Sequence, residues 1–213
     1  MRAGRPVSLL VAMLVTGCAT APPDVAPLLD ISGVGCSGTI NLSAALPTTP
    51  TVEGATEKPS VVSITALSPC IEDKVGRSLY ALFALPDGGP YTVSLSSVPL
   101  GRSLFAPRAR LLDAQGGVLH ELPASSFLFR GTNLTALYRS HPDERYLVVT
   151  SDPSSVGKPL QRLHEAVQST YVSTGYVSAV IYTGSDIATN TTWAHNGEVV
   201  VGLVSDSPKP KHE

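Results

Sequence analysis

From residue 61 to residue 204 the chain breaks into short runs in which apolar and polar residues alternate, each ending at a turn rich in Gly, Pro or Asp. A repeat of two is the spacing of a half-buried strand, and it excludes any fold built mainly from amphipathic helices. The clearest run is Tyr91-Thr92-Val93-Ser94-Leu95-Ser96, which follows the turn Pro86-Asp87-Gly88-Gly89-Pro90. Further runs lie at 61–65, 79–85, 108–113, 118–121, 126–129, 134–138, 146–150 and 198–204. In 79–85 both faces are apolar, so both are expected to be covered. Residues 108–113 and 118–121 read as a hairpin, with Asp113 accepting backbone hydrogen bonds in the turn and Pro107 at a strand start or edge. One helix is expected at 158–169, where Leu160, Leu163 and Val167 recur at helical spacing.

About eight short antiparallel strands, without strand–helix–strand alternation, predict an all-β fold, a β-sandwich of jelly-roll type with one short helix. Phe83, Val93, Leu95, Leu111, Phe127, Leu137, Val148 and Val200 are the expected core between its sheets.

At 213 residues the chain suits one domain of ordinary size. A 43% apolar content excludes disorder, and 15 Lys+Arg against 17 Asp+Glu leave no basic surplus for nucleic acid.

The start of the chain sets the expected compartment. Arg2 and Arg5 precede an apolar stretch over 7–15, too short to span a bilayer and of the right length for a signal peptide. Val15-Thr16-Gly17-Cys18 resembles the bacterial lipoprotein cleavage box. That resemblance implies a signal peptide at 1–17, lipidation of Cys18 and a membrane partner reached through the lipid. Residue 19 is Ala and not Asp, which points to the outer membrane and a body facing the periplasm. Pro22, Pro23 and Pro27 make 18–30 an extended tether, leaving 31–204 as the folded domain and 205–213 as a polar tail. Without residues 1–17, which hold two arginines, 13 basic residues face 17 acidic ones, a net charge of −4.

Cys36 and Cys70 remain, an even pair in an oxidising compartment. One disulfide between them would close a loop of roughly 35 residues, worth about 4 kcal/mol on the chain-entropy view. Two unpaired buried thiols are the alternative. The loop contains 43–60, rich in Pro and Thr and without periodicity.

Catalytic patterns are missing from the sequence. No Gly-x-Ser-x-Gly elbow occurs, and His120, His141, His164 and His195 are each more than twenty residues from the next, so no zinc spacing exists. The acids sit beside turn residues and form no evident glycosidase pair. No catalytic residue, metal or cofactor is expected. The remaining candidates are Tyr176, Tyr182 and Trp193, interleaved with Asn190 and Asn196. Flat rings beside short hydrogen-bonding side chains suit sugar faces or a partner surface; the alternative is that the rings simply pack.

Finally, 104–113 (Leu-Phe-Ala-Pro-Arg-Ala-Arg-Leu-Leu-Asp), the hairpin after it, 125–129, 146–152 and the closing Gly197-Glu198-Val199 together resemble the maltose-operon periplasmic protein (MalM) family. The Phe-x-Pro and Leu-Asp-x-x-Gly strand pair is similar also to bacterial pre-peptidase C-terminal domains. The MalM resemblance implies a non-enzymatic periplasmic protein associated with carbohydrate uptake, binding oligosaccharide or assisting its handling. A scaffolding lipoprotein that docks another envelope protein is the other expectation.

Overall fold

The computed structural model describes residues 28–52, 58–173 and 178–205, and for 161–189 it describes the backbone. The expected signal peptide, Cys18, most of the expected tether, Tyr176 and nearly all of the expected polar tail therefore lie outside the described residues. The fold is all-β. Among the described residues there are fifteen strands, the first five being β1 (Leu46–Pro47), β2 (Thr51–Val52), β3 (Ser60–Ile64), β4 (Cys70–Asp73) and β5 (Gly76–Ala84). Next come β6 (Tyr91–Val98), β7 (Ser103–Phe105), β8 (Pro107–Leu112), β9 (Val118–Leu122) and β10 (Leu128–Arg130). The last five are β11 (Asn133–Arg139), β12 (Tyr146–Ser151), β13 (Pro159–Ser173), β14 (Ser178–Ala194) and β15 (Gly197–Ser205).

Two six-stranded sheets form the body. One runs β1-β5-β12-β8-β9, with β4 sharing the β1 edge of β5; the other runs β10-β11-β6-β15-β2, with β3 sharing the β2 edge of β15. Alternation builds a core common to both. Leu79, Ala81 and Phe83 of β5 and Leu147 and Val149 of β12 join Val93 and Leu95 of β6 and Val199 and Val201 of β15 in one apolar cluster. Each large side chain so buried stabilises by about 1.5–3 kcal/mol relative to exposure. The opposite face of β5 is covered too. Tyr80, Leu82 and Val148 form a second cluster under Ile40, Leu42 and Ala45. That covering segment includes a short 3-10 turn at Leu42–Ala44, whose start is capped by Asn41 Oδ1 accepting from the Ser43 amide at 3.2 Å.

Cys36 and Cys70 are joined, their Cα atoms 4.4 Å apart and 34 residues apart in sequence. Ser37 extends the staple: its amide donates to Cys70 O at 2.9 Å, and its carbonyl accepts from the Glu72 amide at 2.9 Å. Beside it, Arg110 pairs with Asp73. Burial pushes the Asp73 carboxyl up, but the Val75 amide and the charges of Arg110 and Arg108 outweigh it and hold the group below its ordinary 3.8. Pro107 opens β8. In the turn after that strand Asp113 Oδ1 accepts from the amides of Gln115 and Gly117, at 2.9 and 2.7 Å.

Several sequence expectations need correction. The helix expected at 158–169 is strand: from Pro159 onwards the stretch lies in β13 and pairs residue for residue with β14. Three leucine and valine positions at helical spacing were outweighed by a chain rich in β-branched and aromatic residues (Val167, Thr170, Tyr171, Val172) that finds a partner strand of matching length. Residues 124–126 form a 3-10 turn, so the expected strand at 126–129 starts only at Leu128. The stretch at 43–60 holds two short strands, β1 and β2, which dock in parallel on β5 and β15.

The core list also shifts. Leu137 is 52% exposed. Its neighbour Tyr138 packs towards the core instead, donating its hydroxyl to the buried Glu144 carboxylate at 2.6 Å. Val200 is half-buried, and Val199 and Val201 take the inner face. Val148 is buried in the second cluster and not between the sheets. In a run such as Val199-Val200-Val201 polarity does not alternate, so pairing alone sets which residues face inward.

β13 and β14 leave the body as a two-stranded arm. Fifteen consecutive residue pairs connect them, from Pro159↔Thr192 to Ser173↔Ser178. Only the last residues of β14 join another strand, Thr192, Trp193 and Ala194 pairing in parallel with β7. Among the described residues no helix is long and apolar enough to cross a membrane.

Candidate functional site: an apolar cleft at the root of the arm

Where the arm meets the body, the chain leaves a cleft of about 220 Å³. Its walls are Ala106 and Pro107 at the β7–β8 join, Phe127, Leu128 and Phe129 after the 3-10 turn, Leu134 of β11, and Trp193. Ala106 ties three parts of the rim together. Its amide donates to Ala194 O at 3.1 Å, and its carbonyl accepts from the Asp152 amide at 2.7 Å. Trp193 is fixed by its backbone, which accepts from the Gly157 amide at 2.9 Å and donates to Lys158 O at 3.1 Å. Its side chain is half-buried against the core between the sheets.

Asp152 and Ser155 supply the polar part of the lining. The Asp152 carboxylate accepts from the Ser154 hydroxyl at 2.9 Å and the Ser155 hydroxyl at 2.7 Å. Burial pushes that carboxyl up, yet these hydroxyls, the Ser154 amide and the Arg108 charge hold it below its ordinary 3.8. Asp152 is a turn cap whose oxygens are already engaged, so it has little to offer a ligand.

Size and polarity together limit what fits. An apolar cavity of about 150 Å³ accepts a benzene ring, and pockets for drug-sized ligands start near 300 Å³. This cleft therefore takes a single aromatic or branched aliphatic side chain. A sugar hydroxyl pressed against these walls would give up its water without gaining a partner, which costs about 1–3 kcal/mol.

Next to the cleft, Ser151 Oγ lies 2.8 Å from His195 Nδ1. Burial holds the imidazole below its ordinary 6.5, favouring the neutral ring. The pair has the elements of a nucleophile and a base, but Ser151 is 0% exposed, so no substrate can reach its oxygen. The bond ties the end of β12 to the turn between β14 and β15. Among the described residues no group of three or more His, Cys, Asp or Glu side chains could hold a metal ion.

Of the ring and amide candidates whose side chains are described, only Trp193 lines the cleft. Asn190 is exposed on β14, at the register position facing Gln161. Asn196 sits half-buried in the turn before β15, its Oδ1 buried without a hydrogen-bond partner. Tyr182 lies eleven residues before Trp193 on the same strand. At about 3.3 Å per residue that is roughly 36 Å away and, being an odd step, on the opposite face. These residues do not converge on one site. Sequence reading missed Phe127, Leu128 and Phe129 as a wall; the available signal was an unbroken apolar triplet where alternation was expected. Compared with known proteins, the chain matches no family model, no curated protein and no solved structure.

Proposed function

We propose that this chain is a non-enzymatic, lipid-anchored periplasmic protein, held at the outer membrane through Cys18, whose jelly-roll-type β-sandwich docks another envelope protein. The observation that carries the docking is the cleft itself: apolar, one side chain in size, and rimmed by the exposed Leu128 and Phe129. A protein partner would insert one apolar anchor there, in the manner of an interface hot spot. Oligosaccharide binding, in keeping with the MalM resemblance, is the second reading; Trp193 at the wall and the exposed Asn190 nearby on β14 favour it.

Photo-crosslinking from position 128 in intact envelopes tests the first reading. One protein adduct that disappears in Trp193→Ala supports it, and its absence overturns it. Trp193 is the only tryptophan, so its fluorescence reports the cleft directly. Saturable quenching by maltodextrin, without a protein adduct, would install the second reading instead. The anchor has its own test: Cys18→Ser should move the protein from the membrane to the soluble envelope fraction.

A further inference from the structure

Strand register sorts the turns of the body by end. In one sheet Ile64 and Val98 close their strands beside the start of β15, and in the other Ser151 closes β12 beside Pro107. The close approach of Gly197 to Phe105 and the bond from Ala106 to Ala194 bring these strand ends together beside the cleft. Gly76, set against Pro153, adds the turn before β5. The turns 65–69, 74–75, 99–102 and 153–158 therefore share one end, and they carry Lys74, Arg102 and Lys158 and no Asp or Glu. The turns 85–90, 113–117 and 140–145 lie at the other end, where Ala84, Leu112 and Tyr146 are paired. These carry Asp87, Asp113, Asp143 and Glu144 against Arg145. Acidic groups bordering the first set are countered or covered: Asp73 pairs with Arg110, Glu72 with Arg77, Asp30 holds the Ser32 amide, Glu198 is half-buried and Asp152 is buried. On the same turns stand exposed apolar side chains, Leu67 at 95%, Leu100 at 50% and Val75 at 47%. Singly each is ordinary; three at one end, among cations, mark a contact surface.

We propose that this end of the body lies on an anionic lipid surface. The inference rests on the lipid anchor proposed above and names the face that the anchor brings to the bilayer. The chain enters the body at this end, for Leu28 Cδ1 lies 3.4 Å from where a Cβ on Gly157 would stand. Ten residues separate Leu28 from Cys18, a reach of at most about 36 Å. So short a tether holds the cationic end near the headgroups and leaves the acidic end turned away. Lys74 and Lys158 attract anionic headgroups, and Leu67, Val75 and Leu100 enter the boundary between headgroups and acyl chains. An acyl anchor combined with basic residues binds more firmly than either alone. The cleft shares this end through Trp193, so a protein partner reaching it is met at the bilayer surface.

The test uses the full chain with its lipid, reconstituted into phosphatidylethanolamine–phosphatidylglycerol vesicles that carry nitroxide-labelled lipid. Leu67→Cys, Leu100→Cys and, at the far end, Gln115→Cys each supply a free thiol for a fluorophore, since Cys36 and Cys70 are bridged. All three positions are exposed, so the fold should tolerate the labels. Fluorophores at 67 and 100 should lose most of their emission, and the one at 115 almost none. Lys74→Glu combined with Lys158→Glu should restore much of the emission at 67 and 100, as should high salt. Equal emission at all three positions, in a chain that floats with the vesicles, overturns the proposal and leaves the anchor standing. A chain that does not float, with Cys18 unacylated by mass spectrometry, overturns the anchor and the proposal together. Unquenched fluorophores at 67 and 100, with a photo-crosslink from position 100 to one envelope protein, also overturn it and assign this end to a protein.

Discussion

The body and the arm use the same local structure and reach stability by different routes. β5 and β12 are buried on both faces, one under the opposing sheet and one under the segment at 40–45. β13 and β14 are longer than either; strand pairing joins them to the body through the three residues of β7, and Leu160 and Trp193 beside that junction pack against the core between the sheets. Strand pairing is thus common to both, and among the described side chains the apolar clusters draw on the body and on the root of the arm. The contrast shows that hydrogen-bonded register fixes the shape of a strand, while the free energy holding it comes from what covers its faces.

The largest break in that contrast should come from the centre of the body. Phe83 is fully buried in the cluster between the sheets. Phe83→Ala should cost about 3–5 kcal/mol, from lost transfer energy and the cavity left behind. The urea midpoint should fall accordingly; a loss below about 1 kcal/mol would mean that the two sheets are not held by this cluster.

The disulfide comes next. Replacing both Cys36 and Cys70 by Ser should cost about 2–4 kcal/mol, because the unfolded chain regains the freedom of a 34-residue loop. The loss should appear in the body's unfolding and leave the arm's backbone pairing unchanged, as followed by hydrogen exchange.

A third substitution probes the seam between the two regions. Gly197 begins β15, and a Cβ there would lie 2.7 Å from the Phe105 Cβ. Neither atom is the end of a flexible side chain, so backbone must shift. Gly197→Ala should cost about 1–3 kcal/mol, and because Phe105 pairs with Ala194 it should also disturb the Trp193 fluorescence.

How much of this was legible in the sequence follows the same division. β6 was readable because Tyr91, Val93 and Leu95 alternate with Thr and Ser, and its inner face lies where that pattern puts it. The β8–β9 turn was readable because Asp113 and two glycines have a local chemistry of their own. β11 and β15 were misread by one residue, since their facing depends on which neighbour they pair with. The arm was misread altogether. Its stabilising partner for any residue lies up to 33 positions away in sequence, whereas helical spacing is visible within a single turn. The cleft failed for a related reason: its walls come from five separate parts of the chain, and only Trp193 was conspicuous by type.

Acid should weaken the body in two stages. His195 is held below 6.5 when folded, and Asp73 and Asp152 below 3.8. In each case the unfolded chain binds the proton first. Stability is therefore complete above pH 6.5, falls as the pH drops through the window between 6.5 and the folded His195 value, and falls again below 3.8. Urea midpoints measured from pH 8 to pH 3 should show both stages, and His195→Gln should abolish the upper one alone. An upper stage that persists in the Gln variant would place the titrating group elsewhere.

The smallest expected effect isolates the arm. Glu165 and Asp186 are directly paired across β13 and β14, and like charges so placed oppose the pairing. Glu165→Gln removes that repulsion and keeps the side chain's length. Amides around positions 163–167 should exchange more slowly, by a factor that corresponds to about 0.2–1 kcal/mol. The body's urea midpoint should not move, because no sheet of the body includes either residue. If the midpoint rises together with the arm's protection, arm and body unfold as one cooperative unit, and their separation into two independently stabilised parts fails.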